Sequence, residues 1–263
     1  CTTCPEGSYC LEGATQPTPC PDALWPSGCD ADPICDQCAT DGLSDWQPGR
    51  ATFYGGNPDG NACRWAAADE TPNYGTFYAA AGADAWASGF GCGDVYEVVC
   101  TGPYVPTSPV VGTCAAISGV RVVVVDQCPE CASNHLDLVT EPFAALWDGE
   151  AGVVGQLAIE LRRVEGDFGV PASVDMASGS SPFWFGFTLR YSNRRVLDIE
   201  WQHANDSTWR TARLEQSGLW VAENLEDVAL PVSLRLTNED GDVVVATNAI
   251  LSWQGVHGLG VNF

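Results

Sequence analysis

The chain has 263 residues, of which 34 are acidic and 11 basic, giving a formal net charge of −23 at pH 7. Nucleic acids and anionic membrane surfaces are bound by clustered basic side chains, so this charge argues against both as partners. It would also repel an acidic polysaccharide and favours a neutral partner. The hydrophobic content of 45% is enough for a buried core. No apolar run approaches the roughly 18 residues that a membrane-spanning helix needs.

Thirteen cysteines indicate an oxidising compartment, and therefore a secreted protein that is extracellular or located in a cell wall. The chain begins at Cys1 without a signal peptide, so we interpret it as a mature chain whose targeting segment is gone. Seven cysteines fall within residues 1–47, a segment rich in proline and glycine that needs covalent staples because it cannot bury a core. Zinc is the alternative at the Cys1/Cys4 and Cys35/Cys38 pairs, but the intervening cysteines and the secreted context favour disulfides.

Residues 48–165 contain short β-branched or aromatic runs that are bounded by glycine-rich turns. The runs RATFYGG, DVYEVVC and VRVVVVD are typical of strands. One helix is predicted in TEPFAALWDG, with Thr140 as the N-cap, Pro142 in the first turn and Gly149 at the end. A second helix is predicted around YAAAGADAWA.

Residues 166–263 follow a composition shift at VEGDFGVPASVDMASGSS. Six runs at close spacing are typical of strands: FWFGFTLRY, RVLDIEWQ, WRTARLE, LWVAEN, VSLRLTN and DVVVATN. The EDGD sequence at 239–242 predicts a hairpin turn. Together these features predict a small antiparallel β-sandwich, and hence an all-β chain.

Two acids stand at the ends of apolar runs. Asp126 ends the run of four valines, and Asp137 follows in HLDL. A carboxyl group at the end of a buried strand is partly desolvated, which raises its pKa and suits it to protonate a glycosidic oxygen. The alternative is an aspartate that only accepts backbone hydrogen bonds at a turn. A glycosidase would also need a second carboxylate, and Asp126 could be that partner.

Several motifs in order resemble the expansins: ATFYGG (51–56), GNACRW (60–65), GCGDVYEVVC (91–100), VVVVDQCP (122–129) and HLDL with PFAALW (135–147). SGSSPFWFGFTLRY resembles the surface strand of the expansin carbohydrate-binding module. The resemblance covers residues 48–263. It implies a six-stranded double-psi β-barrel over 48–165 and an immunoglobulin-like sandwich over 166–263, packed so that their surfaces form one groove, after a disulfide-rich segment over 1–47.

The resemblance also implies the residues of that groove. Asp137 corresponds to the key acid of the family, Asp126 to a second groove acid, and His135 to a positioning residue. The wall and the aromatic platform of the groove, where rings pack on the CH groups of a sugar face, would include Thr52, Tyr54, Pro129, Phe183, Trp184 and Trp220. On an alternating strand Trp184 should lie on one face and Phe183 and Phe185 on the other.

Other aromatic and ionisable residues are assigned to structural roles. Trp201, Trp209 and Trp253 are predicted to lie in the sandwich core. His203 and His257 are predicted to lie at the surface. No histidine has metal-ligand spacing with another histidine or acid, so neither a metal nor another cofactor is predicted.

The chain departs from the family pattern in two places. Related family 45 endoglucanases carry a catalytic-base aspartate after the first-strand aromatic residue, whereas Gly55 and Gly56 follow Tyr54 here and the next acid is Asp59. Inverting hydrolysis then lacks the group that activates water. Val95 stands where the family has a cysteine. The disulfides implied are therefore a rewired Cys128–Cys131 pair beside Cys63–Cys92 and Cys100–Cys114, with a redox CxxC at Cys128 as the rival interpretation.

The leading hypothesis is a monomeric, non-hydrolytic protein that binds a neutral cell-wall polysaccharide along the groove and loosens its non-covalent contacts. One alternative is a weak endoglucanase or lytic transglycosylase that uses Asp137. The other is a structural protein that anchors the chain to a wall or matrix.

Overall fold

The structure is a computed structural model. It describes residues 43–55, 60–65, 73–82, 86, 91–104, 112–115, 119–215, 218–223 and 225–263, and the backbone of two short paired strands, β1 (Ser8–Tyr9) and β2 (Thr18–Pro19). The seven cysteines of the N-terminal segment, and also Gly56 and Asp59, lie outside the described residues.

The first large unit is built from strands with two short helices. Its elements are β3 (Gln47–Tyr54), β4 (Tyr78–Ala81), β5 (Val95–Pro103), β6 (Thr113–Cys114), β7 (Val120–Gln127), β8 (His135–Val139), α1 (Thr140–Leu146), β9 (Trp147–Asp148), α2 (Ala151–Val154) and β10 (Leu157–Val164). Six of these strands close into a barrel in the order β10-β3-β8-β4-β7-β5. The pairs β3–β8 and β4–β7 are parallel, and the other four pairs are antiparallel. The predicted double-psi β-barrel is confirmed.

The valine run of β7 lies at the centre of the barrel. Every residue from Val122 to Val125 is at most 1% exposed. Neighbouring side chains on a barrel strand point alternately inward and outward, so the outer face of β7 must be covered as well. Helix α1 packs against β3, β7 and β8, and its Phe143 ring lies 4.8 Å from the ring of Phe53. This packing excludes solvent from both faces of β7 from Val122 to Val125.

The helix predictions need correction. Helix α1 is present, but its N-cap is Val139, so Thr140 is the first helical residue, and the helix ends at Leu146 because Trp147 begins strand β9. The second predicted helix is wrong at its start, since Tyr78–Ala81 form β4. All four β4 residues are buried, so pairing with β7 and β8 on either side overrides the helix propensity of alanine.

The second large unit is a sandwich of two antiparallel sheets. Its strands are β11 (Ser173–Met176), β12 (Phe185–Arg190), β13 (Val196–His203), β14 (Arg210–Thr211), β15 (Arg213–Leu214), β16 (Leu219–Ala222), β17 (Val232–Asn238), β18 (Val243–Ile250) and β19 (Val256–Gly258). One sheet has the order β15-β16-β12-β11-β19 and the other β14-β13-β17-β18. The predicted immunoglobulin-like sandwich is confirmed, and residues 239–242 connect the hairpin β17–β18.

The sandwich core contains aromatic side chains from both sheets. Phe185 and Phe187 are fully buried and stack with ring centroids 6.4 Å apart. Trp201 is 2% exposed and meets Phe185 edge-on, which confirms its predicted core position. Trp253 is partly buried against the same cluster. Trp209 is instead half-buried, with the guanidinium of Arg235 over its ring.

Ion pairs join the barrel to the sandwich. Asp94, which precedes β5 and is 6% exposed, accepts hydrogen bonds from Arg195 of the sandwich. Arg163 of β10 lies 4.0 Å from Asp94 and donates to Glu239 of the sandwich at 2.7 Å. Because these charges are largely desolvated, a change that separated the two units or removed one partner would leave a buried charge uncompensated.

An aromatic cluster completes the junction. Trp65 and Tyr74 come from barrel loops, Phe168 from the connecting segment and Tyr191 from the sandwich. The centroid distances are 5.2 Å for Tyr74–Phe168, 5.4 Å for Trp65–Tyr191 and 5.7 Å for Phe168–Tyr191. The connecting segment is also held by the Asp167 N–H, which donates to the Tyr74 hydroxyl at 2.8 Å.

Candidate functional site

The two predicted acids lie on neighbouring strands of the barrel wall. Thr52 of β3 pairs with Asp137 of β8, Asp137 pairs with Ala80 of β4, and Ala80 pairs with Asp126 of β7. These four residues form one row across four strands. Adjacent strands are about 4.8 Å apart, which puts the Cα atoms of the two acids roughly 10 Å apart. The alanine between them is buried and packs with the partly buried Tyr54.

A β-bulge sets the position of Asp126. The β4–β7 register shifts between Ala79 and Ala80, so that Ala80 is paired with Asp126 rather than Val125. A bulge of this kind re-aims the side chains that follow it. The Asp126 Oδ1 atom accepts hydrogen bonds from the backbone N–H groups of Ala62 and Gln127, both at 2.8 Å. The alternative of a turn-capping aspartate therefore describes part of what Asp126 does.

A directed hydrogen-bond chain ends on Asp137. Arg50 Nη2 lies 2.7 Å from His135 Nδ1, and an arginine can only donate, so Nδ1 must be the accepting nitrogen. The proton of the neutral imidazole is then on Nε2, which donates to Thr52 Oγ1 at 2.8 Å. The Thr52 hydroxyl in turn donates to Asp137 Oδ1 at 2.5 Å. This chain orients the carboxylate of Asp137 and keeps Thr52 from donating elsewhere.

The protonation states at the site fit this direction. Burial and the positive charge of Arg50 lower the pKa of His135 to about 4, so the imidazole is neutral at ordinary pH. Burial raises the pKa of Asp137, the hydrogen bond from Thr52 opposes that rise, and the charge of Glu130 adds to it. Burial together with the charges of Asp126 and Asp137 raises the pKa of the Tyr54 hydroxyl, which stays protonated as a donor beside the two acids.

The rewired disulfide lies at this site. Cys128 and Cys131 are bonded to each other and buried, and they pack with Ala80 and the partly buried Tyr54. The other two implied pairs, Cys63–Cys92 and Cys100–Cys114, are also formed. The Cys128–Cys131 bridge therefore supports the row of acids from beside it, and its burial argues against the redox interpretation.

The predicted aromatic platform divides into an exposed pair and a buried residue. Phe183 is 62% exposed at the tip of a turn, Trp184 is half-buried, and Phe185 is in the core. A Cβ at Gly186 would lie 3.2 Å from the Trp184 ring, so the ring covers that glycine on the face opposite Phe185. The prediction for Trp220 is wrong, because Trp220 is 4% exposed and packs in the sandwich core.

Backbone contacts connect the acids to the strand that carries the platform. The Ala62 N–H donates to Asp126, and two residues later the Arg64 carbonyl accepts from Arg190 Nη2 at 3.2 Å. Arg190 lies on the same face of β12 as Gly186, and it is Gly186 that the Trp184 ring covers. The six steps along the chain from Trp184 to Arg190 span roughly 20 Å of extended backbone. A chain of backbone contacts thus runs from Asp126 to the strand that follows the platform.

Two residues near the acids were not anticipated from the sequence. Arg50 heads the hydrogen-bond chain, and its guanidinium also lies 5.3 Å from the ring centre of the exposed Tyr104. Glu130 is exposed in the turn after β7, and its charge acts on both His135 and Asp137. Pro129, beside Glu130, is also exposed, and its place in the groove stays a prediction. Arg50 could have been found, because it is two residues before Thr52 on the same face of β3.

The site offers one acid of raised pKa, a second acid held by backbone donors, and an aromatic pair beyond the junction. Within the described part of the chain, no cluster of three or more histidine, cysteine or acidic side chains could hold a metal ion. None of the described helices is long and apolar enough to cross a membrane. The arrangement suits an extended neutral ligand that hydrogen-bonds to carboxylates and stacks on rings.

The chain is similar to known proteins over most of its length. A family model described as "Lytic transglycolase" matches residues 78–155. A putative expansin-B2 of Arabidopsis thaliana is 32% identical over 244 residues, which cover 86% of this chain and 86% of that protein. Expansin-B11 of Oryza sativa subsp. japonica is 28% identical over 229 residues, 80% of this chain and 74% of that protein.

The similarity extends to solved structures. The crystal structure of a mutant Clavibacter michiganensis expansin in complex with cellohexaose matches with a TM-score of 0.65 and 25% identity, covering 83% of this chain and 98% of that one. Its uncomplexed form matches with a TM-score of 0.64. Agreement in sequence over 86% of the chain and in the order of both folded units leads to one conclusion: this chain belongs to the expansin family.

Proposed function

We propose that the protein binds a neutral β-linked glucan of the cell wall along the groove and loosens its non-covalent contacts without hydrolysing it. The observation that carries this proposal is the unequal state of the two acids. Asp137 is oriented by the chain from Arg50 and has a raised pKa, whereas Asp126 accepts two backbone hydrogen bonds. The crystallised relative that holds cellohexaose supports the ligand class.

Asp126 is poorly suited to act as a catalytic base. An inverting glycosidase needs a base that activates water on the far side of the sugar, with about 6.5–9.5 Å between the carboxyl groups. One oxygen of Asp126 is committed to the backbone N–H groups of Ala62 and Gln127, so that oxygen is not free to take a proton from water. Gly55 follows Tyr54 where the related hydrolases carry their base. A bound glucan would therefore be twisted and hydrogen-bonded by Asp137 and Tyr54, and not cut.

A second candidate function is lytic transglycosylation with Asp137 as the single acid. The family model over residues 78–155 and the raised pKa of Asp137 favour it. In such a reaction Asp137 would protonate the glycosidic oxygen as its bond to C1 breaks, and a hydroxyl of the same sugar would attack C1 and return its proton to Asp137. The product would be an anhydro-sugar with no new reducing end, so a reducing-sugar assay alone would miss it.

The test uses amorphous and crystalline cellulose, chitin and xylan with the wild-type chain, Asp137→Asn and Phe183→Ala/Trp184→Ala. Bound fraction, reducing ends and the mass spectrum of soluble products are measured together. The proposal expects wild-type binding without soluble sugar, and binding weakened in the platform variant. Hydrolysis products that vanish in Asp137→Asn would overturn it in favour of a glycosidase, and anhydro-sugars would overturn it in favour of the transglycosylase.

A further inference from the structure

The sandwich has a second cleft, where the chain passes from one sheet to the other. Strand β14 belongs to the four-stranded sheet and β15 to the five-stranded sheet, and only Ala212 separates them. The Ala212 N–H donates to the Ile199 carbonyl at 2.7 Å. The sheet edges diverge at this crossing and leave a cleft of about 500 Å³, whose walls include Trp201, His203, Arg210, Arg213 and Glu223. This volume is within the range of small-molecule sites.

The cleft contains paired charges and one unpaired polar atom. Arg213 is ion-paired with Glu223 at 3.3 Å and with Glu215 at 3.2 Å, and the guanidinium of Arg210 lies 5.2 Å from the centre of the Trp201 ring. His203 Nδ1 is buried without a hydrogen-bond partner. A buried polar atom left unpaired costs about 1–3 kcal/mol, so a hydrogen-bonding group that reached this nitrogen would be stabilising.

We propose that this cleft binds a short segment of a neutral saccharide. Its arginines are balanced by acids, which disfavours an anion. The described residues contain no cluster of three or more histidine, cysteine or acidic side chains that would favour a metal cation. Adjacent donors and acceptors of the Arg213–Glu223 pair match neighbouring hydroxyl groups of a sugar. A hydroxyl can also donate to or accept from His203 Nδ1, whichever tautomer is present.

The cleft lies behind the turn that carries the platform. The Val228 N–H donates to the Pro182 carbonyl at 2.9 Å, and Val228 lines the cleft while Phe183 follows Pro182 in the chain. A polysaccharide lying on Phe183 could therefore place a second chain or a branch in the cleft. The site goes beyond the proposed function, since loosening along the barrel groove does not require it.

The test measures cellohexaose binding by calorimetry and by NMR. In the platform variant Phe183→Ala/Trp184→Ala, residual binding should remain and shift the resonances of cleft residues. Adding Arg213→Gln should weaken that residual binding about tenfold, as expected for one lost charged hydrogen bond. Adding His203→Leu should weaken it while leaving the melting temperature unchanged or higher, because the unpaired nitrogen is removed. Arg235→Gln is the matched control, since its pair with Glu200 lies outside the cleft.

Three results would overturn the proposal. They are residual affinity that is unchanged by Arg213→Gln, resonance shifts confined to the barrel, and binding of inorganic phosphate in place of cellohexaose. A chain that binds in the cleft but does not loosen cellulose would contradict the proposed function only. A chain that loosens cellulose without cleft shifts would contradict this inference only.

Discussion

Replacing Thr52 by valine tests the hydrogen-bond chain at the candidate site. Valine keeps the branched shape of the side chain but removes the hydroxyl that donates to Asp137 at 2.5 Å. A hydrogen bond to a charged group is worth about 1.5–3 kcal/mol, and the lower end applies to this half-exposed carboxylate. That is about one pKa unit. The pKa of Asp137 should therefore rise by about one unit in Thr52→Val.

The assay is a carbon-13 NMR titration of the Asp137 carboxyl group in the wild type and the variant. Thr140→Val is the matched control, because the Thr140 hydroxyl makes only a 3.4 Å hydrogen bond to a backbone carbonyl. The control should leave the titration of Asp137 unchanged. An Asp137 pKa that is the same in Thr52→Val and wild type would refute the argument that Thr52 orients and stabilises the carboxylate.

Three further predictions concern stability. Asp137→Asn should raise the melting temperature at pH 7, because burial raises the pKa of Asp137 and the ionised carboxylate then destabilises the folded protein. The gain should vanish below about pH 4, where the carboxyl group is protonated in both the folded and the unfolded chain. A lower melting temperature of the variant at pH 7 would contradict this prediction. Because the pKa of His135 is lowered to about 4 in the folded protein, the unfolded chain binds a proton first as the pH falls below about 6.5. The free energy of unfolding should therefore fall by up to about 3 kcal/mol between pH 6.5 and 4. His135→Gln should abolish that pH dependence in urea unfolding, and an unchanged dependence would place its cause elsewhere. Asp94→Asn removes the buried carboxylate that faces Arg195 and Arg163, and it should cost about 3 kcal/mol and separate the calorimetric transitions of barrel and sandwich. The exposed Asp240→Asn should cost less than about 0.5 kcal/mol, and equal effects would refute the assigned role of the junction.

Local pattern was sufficient to predict three of the barrel strands, β3, β5 and β7, and to single out the two acids. The valine run is β-branched, so it indicates a strand that ends at Asp126, whereas HLDL was identified only as the motif that carries Asp137. Period-two alternation also indicates which side chains share one face of a strand. It places Arg50 beside Thr52 and His135 beside Asp137 on facing strands, so the whole chain of hydrogen bonds follows once the parallel pairing of β3 with β8 is known.

The remaining features depend on tertiary contacts that no local pattern reports. The alanine-rich β4 has the composition of a helix, and it is a strand because β7 and β8 flank it. Trp220 pairs with Phe187 across strands, and both rings face the core, which could not be distinguished from an outward position without the register. The bulge that aims Asp126 towards the site is likewise a feature of the pairing, not of the sequence of β7 alone.

The central claim is tested most directly by extension of cellulose paper under constant load, with soluble products collected from the same sample. Wild-type protein, Asp137→Asn and the control Thr140→Val would be compared at equal bound amounts. The account predicts that wild type and the control weaken the paper with no soluble sugar or anhydro-sugar, and that Asp137→Asn does not weaken it. Weakening that always accompanies sugar release, or that persists unchanged in Asp137→Asn, would contradict the account.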